Sequence, residues 1–531
     1  MTANSGSKDD VVVIGSGHNG LVAAAYLAVA GKKVLVLERN GWFGGGVVTR
    51  ELTLPGFKHD QHSMAHIFIQ ANPLIRNDEL KLLSKYGLKY IRPEMPLISV
   101  FDDGTTLGLH CDREKNYQEI AKFSKKDAEA YLRFSELAAG YLPALIGTLY
   151  SPPAPIGAMY AMMDQSREGR ELMGIMQRSA YDIVMEWFED DHVRLHFTRM
   201  VSENLIGPEE KGTGIGLFMF LAFLEKYGIG VAVGGSGMLS QALIRCIEDH
   251  GGSVMANVSI DRVLVKNGRA VGARADDGRE FHAKDAVIGA IHPHLLSRFI
   301  EGLDPKVAQA AAKVQITPNC VLTIHAALNE PLKFFAGDHV GKAMMIELLP
   351  DSLERLREHF DDLRYGRIPR WSLIGLGSAS NIDPTRVPPG KAIMHAWDYV
   401  PYEHPDGGAQ RWDELKRPFA EGMLKKMRAY IENITPENIL AYHCDSPLDM
   451  ERTSASFLKG DIHGVAPYLH QFGAHRPTPD LGQNTVPGLE RFYLVGPFQH
   501  PGGGVFGAGR ATAMKMFDDL KLDFDKVGQR A

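Results

Sequence analysis

An apolar strand that runs straight into a glycine-spaced turn constrains this chain more than any other feature. Val11-Val12-Val13-Ile14 is a continuous run rich in β-branched residues and reads as a buried parallel strand. Gly15-Ser16-Gly17-His18-Asn19-Gly20 follows at once and opens a helical stretch over Leu21–Ala30 that Gly31 ends. Lys33–Leu37 reads as a second buried strand and finishes on Glu38. Gly15 permits the tight turn, Gly17 lets the backbone approach a pyrophosphate, and Gly20 lets the helix pack close to its strand. The helix start, at His18 and Asn19, offers free N–H groups and a positive dipole end to phosphate. Glu38 lies 18 residues past Gly20, where a carboxylate can accept hydrogen bonds from ribose hydroxyls. A lone G-x-G-x-x-G is a weak signal, but with strand, helix and terminal carboxylate in place this one points to a bound dinucleotide.

The segment after Glu38 selects among dinucleotides. Arg39-Asn40-Gly41-Trp42-Phe43-Gly44-Gly45-Gly46 carries a second glycine cluster, typical of FAD proteins, in which backbone N–H groups close over the pyrophosphate from the other side. In the middle of the chain, Gly234-Gly235-Ser236-Gly237 precedes an amphipathic helix over Met238–Asp249. Asn267-Gly268 and Asp277-Gly278 are two-residue hairpin turns between alternating apolar runs. Ala286–Ala290 then reads as a strand returning to the parallel sheet. Gly234 and Gly237 lack the strand-turn-helix context, so no second complete nucleotide fingerprint is present and a permanent nicotinamide site is unsupported. Near the C-terminus, the strand ending at Gly496 leads into His500-Pro501-Gly502-Gly503-Gly504-Val505-Phe506, then a helix over Arg510–Leu520. Three consecutive glycines before a helix make a backbone-lined concavity able to lie against a flat ring.

Composition narrows the classes further. A length of 531 residues exceeds one compact core and predicts two or more subdomains. The net charge of −6 gives no footprint for nucleic acid. Cys111, Cys246, Cys320 and Cys444 are scattered, with no C-x-x-C spacing, so they read as reduced thiols in a cytoplasmic, reducing compartment. The polar start and the lack of a ~20-residue apolar span predict a chain without secretory signal or membrane-crossing helix, at most peripheral to a membrane.

The motifs together resemble the phytoene desaturase-like group of flavoproteins. The resemblance is carried by Ile14 to Leu27, Leu37-Glu38-Arg39, Pro55-Gly56-Phe57, Ile291-His292-Pro293 and His500 to Val505, and it runs through nearly the whole chain. The chain looks closest to the subgroup that holds the desaturase-type carotenoid ketolases and the pyridine nucleotide-disulphide oxidoreductase domain-containing protein 2. What this implies is an α/β protein with a discontinuous Rossmann-type, glutathione reductase-like FAD-binding domain over residues 8–100, 226–300 and 485–525. A helical cap is expected over 101–225 and a mixed α+β substrate domain over 301–484. Noncovalent FAD would meet Gly15, Gly17, Gly20, Gly45 and Gly46 at its pyrophosphate, Glu38 at its ribose, Arg39 and Ile260 at its adenine, and Gly496, Gly503, Gly504, Val505 and Phe506 at its ribityl chain and ring. Pro497 stands where many relatives carry an acidic residue for the ribityl chain.

The chemistry expected beside FAD is hydride removal from a C–H bond of a hydrophobic or alicyclic substrate, oxygenated ones included, with oxygen or a quinone as acceptor. Histidine is the natural base, and His500, His62 and His66 are the candidates by their place beside the glycine clusters. His59, His62 and His66 fall on extended chain rather than one helix face, which argues against a metal. Arg452, His463, Tyr468, Gln471, His475 and Arg476 suit an oxygenated substrate or, as the plainer alternative, interdomain contacts. Leu137–Met163 is an apolar stretch that fits either an entry cap or ordinary helical core. A carotenoid desaturase or ketolase, an amine oxidase and a protein-binding member of the same fold are the competing readings.

Overall fold

The strand Asp9–Ile14 sits at the centre of an eight-stranded sheet because Val11, Val12 and Val13 have no polar face to show to solvent and are fully buried. The computed structural model describes residues 9–350 and 352–531; residues 1–8, which hold the first residue of the expected FAD-binding span and most of the polar start, lie outside the described residues, as does Asp351. Five parallel strands run in the order Leu489–Leu494, Glu280–Gly289, Asp9–Ile14, Val34–Leu37, Ser253–Met255. They come from the two ends and the middle of the chain. The hairpin Ile260–Lys266 to Arg269–Ala275 turns on Asn267 and Gly268, both at positive φ, and Gly278 turns the next one.

Two helices lock the ends of the chain together. His18–Val29 and Gly509–Asp519 approach so closely that a Cβ on Gly509 would lie 2.0 Å from the Asn19 carbonyl oxygen. Only glycine fits there.

A second sheet of seven strands runs Ile439–Asp445, Cys320–Leu328, Ala392–Val400, Ile374–Gly377, Met345–Leu349, Leu97–Phe101, Thr106–Leu109. The strand Leu97–Phe101 pairs in parallel with Met345–Leu349, Leu97 opposite Met345. The expected boundary at residue 100 therefore cuts through a strand of the substrate domain. The physical reason is that a short apolar strand suits either sheet equally, and only its distant partner decides. Helices from Arg113 to Tyr227 form the cap over this sheet, centred on Phe134, Phe197 and Phe218. In the stretch Leu137–Met163, Tyr141, Leu142, Leu149 and Tyr150 are buried in that core, while Ala139, Pro143 and Ala144 face outwards.

The two domains are joined by a buried ionic knot. Arg386 is fully buried, pairs with Asp60 and Asp383, and donates to the Ala232 carbonyl at 2.8 Å. Asp60 also accepts from Thr49 Oγ1 at 2.6 Å and from the Ser236 amide at 2.8 Å, and Asp383 accepts from the Gly234 amide at 2.7 Å. The Gly234–Gly237 turn is thus spent on packing: a Cβ on Gly235 would strike Thr49 at 2.2 Å. Removing one partner leaves a buried charge uncompensated. Arg386→Ala is expected to lower stability by about 3–5 kcal/mol, read as a fall in the urea midpoint, with Arg386→Lys recovering part of it.

Candidate functional site

A single continuous cavity of about 420 Å³ follows the C-terminal ends of the parallel strands and runs on between the two sheets. This is where open α/β sheets bind their ligands. Its first wall is the glycine turn. The helix His18–Val29 has no side-chain cap; the His18 amide donates to the Gly44 carbonyl at 3.3 Å, and the helix start faces the cavity. A Cβ on Gly17 would meet nothing within 4 Å, whereas one on Gly20 would lie 2.9 Å from the Gly15 carbonyl oxygen. Gly17 therefore leaves room for a ligand, while Gly20 serves the strand-helix contact. Gly45 crosses the turn from the other side: its Cβ would lie 3.0 Å from Gly17 Cα. His18 Nε2 and Asn19 Oδ1 are buried without a protein partner. This cradle fits the pyrophosphate of FAD.

At one end of the cavity lies Glu38, a carboxylate of the kind that could hold a ribose. Its carboxylate accepts from the Ser16 amide at 2.9 Å, from Ser16 Oγ at 2.7 Å and from the Asn40 amide at 2.9 Å, which fixes its orientation. Arg39, anchored on the Arg452 carbonyl at 3.0 Å, and Ile260 line the same end. At the other end, Gly46, Gly496, Gly503, Gly504 and Val505 form the wall and open onto a chamber between the sheets. Ile67, Phe68, Phe220, Val321, Met345 and Trp397 make that chamber apolar.

Polar groups in the chamber are few. His62 and His395 line it, and neither ring has a protein hydrogen-bond partner at either nitrogen. Burial pushes the His62 imidazole down to about 4, against the pull of the Asp445 charge, and the His395 imidazole down to about 3. Both are neutral at pH 7 and able to accept a proton. His463 also lines the cavity, and burial lowers its basicity. Glu203 also lines the cavity, but it is paired with Arg199 and accepts from Tyr399 Oη at 3.1 Å.

Of the three candidate bases, only His62 lies on the cavity wall. His500 points away from it and donates from Nε2 to the Thr148 carbonyl at 2.9 Å, tying the glycine loop to the cap. His66 is buried behind the wall with Nδ1 at 2.8 Å from Tyr90 Oη. Phe506 also sits behind the wall, stacked on Phe68 at 4.3 Å between ring centroids. Sequence proximity to a glycine loop fixes the height of a residue along the cavity, not which way its side chain turns. In the polar group expected near the substrate, Arg452 pairs with Asp413 at the surface, and Gln471 and Arg476 hold backbone carbonyls at residues 465, 466 and 497. No residue of 137–163 lines the cavity. Sequence reasoning does not single out His395 and Trp397; their only local signal is an i, i+2 pair on one strand face.

Residues 20–332, more than half of the chain, match the family described as flavin containing amine oxidoreductase. A limonene dehydrogenase polypeptide from Castellaniella defragrans is 27% identical over 97% of this chain and 95% of its own length. The rat pyridine nucleotide-disulfide oxidoreductase domain-containing protein 2 is 29% identical over 96% of this chain and 94% of its own. A lycopene-forming phytoene desaturase from Pseudescherichia vulneris is 25% identical over 96% and 99%. Among solved structures, an oxidoreductase from Methanosarcina mazei superposes with a TM-score of 0.60 at 18% identity, covering 96% of this chain and 99% of that one. The resemblance to phytoene desaturase-like flavoproteins holds.

Two outcomes follow from the geometry. Gly17→Val is expected to fold normally but to weaken FAD binding at least about tenfold, measured by flavin fluorescence titration, whereas Gly20→Val is expected to lower the melting temperature as well. The second concerns pH. Burial holds His18, His59, His62 and His395 at about 3 to 4, below the ~6.5 of an unfolded chain. The unfolded state therefore binds protons first as pH falls, so the stability present above pH ~6.5 is lost progressively down to pH ~3. Urea midpoints taken across that window should fall steadily; a flat profile would contradict the burial of these rings.

Proposed function

We propose that this chain, which belongs to the flavin containing amine oxidoreductase family, dehydrogenates an apolar, alicyclic or polyene substrate held between its two sheets. It is an FAD-dependent oxidoreductase of the dehydrogenase and desaturase kind. Bound FAD supplies a two-electron hydride acceptor. The observation that carries the substrate reading is the chamber wall. Phe68, Phe220, Val321, Met345 and Trp397 offer an apolar surface, and the nearby carboxylate of Glu203 is already consumed by Arg199 and Tyr399. An ammonium substrate would find no free counter-charge there. The names of two relatives, limonene dehydrogenase and phytoene desaturase, support the same reading.

The residues divide the work simply. The apolar wall excludes water and orients the ring or chain against the Gly503–Val505 edge. Neutral His62 and His395 stand ready to take the proton lost when a C–H bond next to the hydride donor breaks. Oxygen substituents on the substrate would find hydrogen-bonding partners in the same imidazoles. Oxygen or a quinone as acceptor is supported by the use of the Gly234–Gly237 turn in packing rather than in a second nucleotide site. A cytoplasmic place is supported by four cysteines that are all free thiols. Peripheral membrane contact is supported by the run from Leu137 to Met163, which has no charged side chain and leaves Met162 63% exposed.

The test is anaerobic bleaching of the flavin spectrum with a cyclic monoterpene, a carotenoid and a primary amine in parallel. Bleaching by one of the apolar compounds is expected; bleaching by the amine alone would sink the reading. His62→Gln is expected to retain FAD and slow the bleaching by about 100-fold.

A further inference from the structure

From His395 on the chamber wall a row of histidines runs outward, and its other members are not used by the reaction so far. His325 stands on the strand Cys320–Leu328 directly opposite His395 on one neighbouring strand and His443 on the other. One step along, Thr323 stands between Trp397 and Asp445 in the same way. Because side chains alternate along a strand, residues two apart share a face, so both rows lie on the face that carries the chamber residues Thr323, His395 and Trp397. The ring centroids of His325 and His395 are 4.2 Å apart, and those of His325 and His443 are 6.3 Å apart. His59 packs edge-on to His325 at 5.7 Å.

The two ends of the row differ. The inner end, His395, is on the cavity wall beside His62. The outer end, His443, has a side chain 37% exposed, and its Nε2 lies 2.8 Å from Asp445 Oδ1. The second oxygen of Asp445 accepts from Gln61 at 3.1 Å. Between the ends, His325 is fully buried, and both of its nitrogens, like both of His395 and both of His62, lack a protein partner.

That pattern separates these rings from the structural histidines of the same protein. His66, His196, His292, His359 and His500 are just as buried, and each spends a ring nitrogen on a fixed partner, respectively Tyr90, Ser99, the Gly464 carbonyl, the Trp371 carbonyl and the Thr148 carbonyl. Buried polar atoms are rarely left unmatched without a reason. Metal binding is not that reason, because the rings are stacked and tilted rather than convergent, and among the described residues no three His, Cys, Asp or Glu side chains could hold an ion.

We infer that the row His395–His325–His443, closed at its outer end by Asp445, is the proton exit of the chamber. The inference rests on the proposed dehydrogenation, in which a substrate C–H bond gives its hydride to the flavin and the adjacent C–H bond gives its proton to His62 or His395 as the double bond forms. A neutral imidazole takes a proton at one nitrogen and releases one from the other, so the charge passes from ring to ring through ring reorientation or a bridging water, and one proton leaves at His443 for each pair of electrons taken. Burial makes the exit necessary. It opposes the protonated form of His62, His325 and His395 alike, so a proton cannot rest inside. The surrounding charges give it a direction. Asp445, at the outer end of the row, favours a charge on His62 and His395; Asp60, paired with Arg386, favours one on His59 and His395; and Arg50 opposes one on His62. Burial raises the Asp445 carboxyl, but the hydrogen bond and charge of His443 together with the hydrogen bond from Gln61 hold it below its ordinary value, so a carboxylate closes the outer end of the row.

Two measurements on the FAD-loaded protein test this. The first needs no substrate: NMR of protein labelled with ¹⁵N in histidine reads the tautomer at each ring. His443→Gln, a change at a half-exposed position, is expected to shift the tautomer balance at His325 and His395; rings that keep their tautomers unchanged overturn the relay. The second uses a substrate that bleaches the flavin. His325→Ala is expected to keep FAD and fold, to slow proton release to a pH indicator by about 100-fold, to enlarge the solvent deuterium isotope effect, and to recover with added imidazole. Unchanged release, or a loss that imidazole fails to restore, overturns it. If no substrate bleaches the unmodified protein, the dehydrogenation reading fails by itself and the NMR result decides the row alone.

Discussion

The buried contact between Arg386 and Asp60 decides whether there is a site at all. The cavity is not a depression in one domain; it is the gap between two sheets, and its width is set wherever those sheets are pinned. Arg386 reaches from the second domain to Asp60 on the segment that follows the FAD glycines, and to the Ala232 carbonyl before the middle helix. Taking an arginine and two carboxylates fully out of water is favourable only if every donor and acceptor is matched, and here Thr49, Ser236 and Gly234 supply the remaining bonds. The same knot holds the chain from His59 to His66 in place, and so positions His62 on the wall.

Desolvation then sets the chemistry. A chamber lined by Phe68, Phe220, Met345 and Trp397 lowers the basicity of any histidine in it, which keeps the rings neutral at working pH. Neutral rings do not repel an apolar substrate, and they can accept a proton. The same desolvation makes the protonated ring short-lived unless a path outward exists. An apolar pocket with an internal base and a graded outward path is physically consistent; an apolar pocket with a trapped imidazolium is not.

The sequence made one half of the site legible. The proposed pyrophosphate cradle is local: Gly15 to Gly20 and Glu38 lie within one βαβ unit and Gly45 in its next turn, so these residues are neighbours in the sequence as well as along the cavity. The strands Asp9–Ile14 and Val34–Leu37 and the two hairpin turns were legible for the same reason, since each carries its own turn or run. The chamber was not. His395, His325 and His443 lie on three separate strands, and each strand is an apolar run whose partners are chosen by tertiary packing. The misassigned strand Leu97–Phe101 failed in the same way. His500 failed for a different reason. It is adjacent in sequence to the glycine loop, yet it is turned by its bond to Thr148 into the cap.

The glycines themselves carry the last step. Read as a sequence, Gly502-Gly503-Gly504 makes room for a flat ring. In the fold, a Cβ on Gly503 would lie 2.5 Å from His463 Cα, and one on Gly502 would lie 3.3 Å from the Arg476 guanidinium carbon. Gly502 and Gly504 also hold positive φ, at 136° and 99°. Gly503 is thus required by the neighbouring segment at His463, and Gly502 by Arg476, so the loop presents bare backbone to the cavity. Gly17 is the opposite case, with open space where its Cβ would be. Two glycines that look alike in sequence therefore report different constraints. One leaves room for a ligand; the other lets a neighbouring segment push the backbone up to it. A flavin site assembled from distant pieces needs both, because the cradle must be open on one side and closely backed on the other.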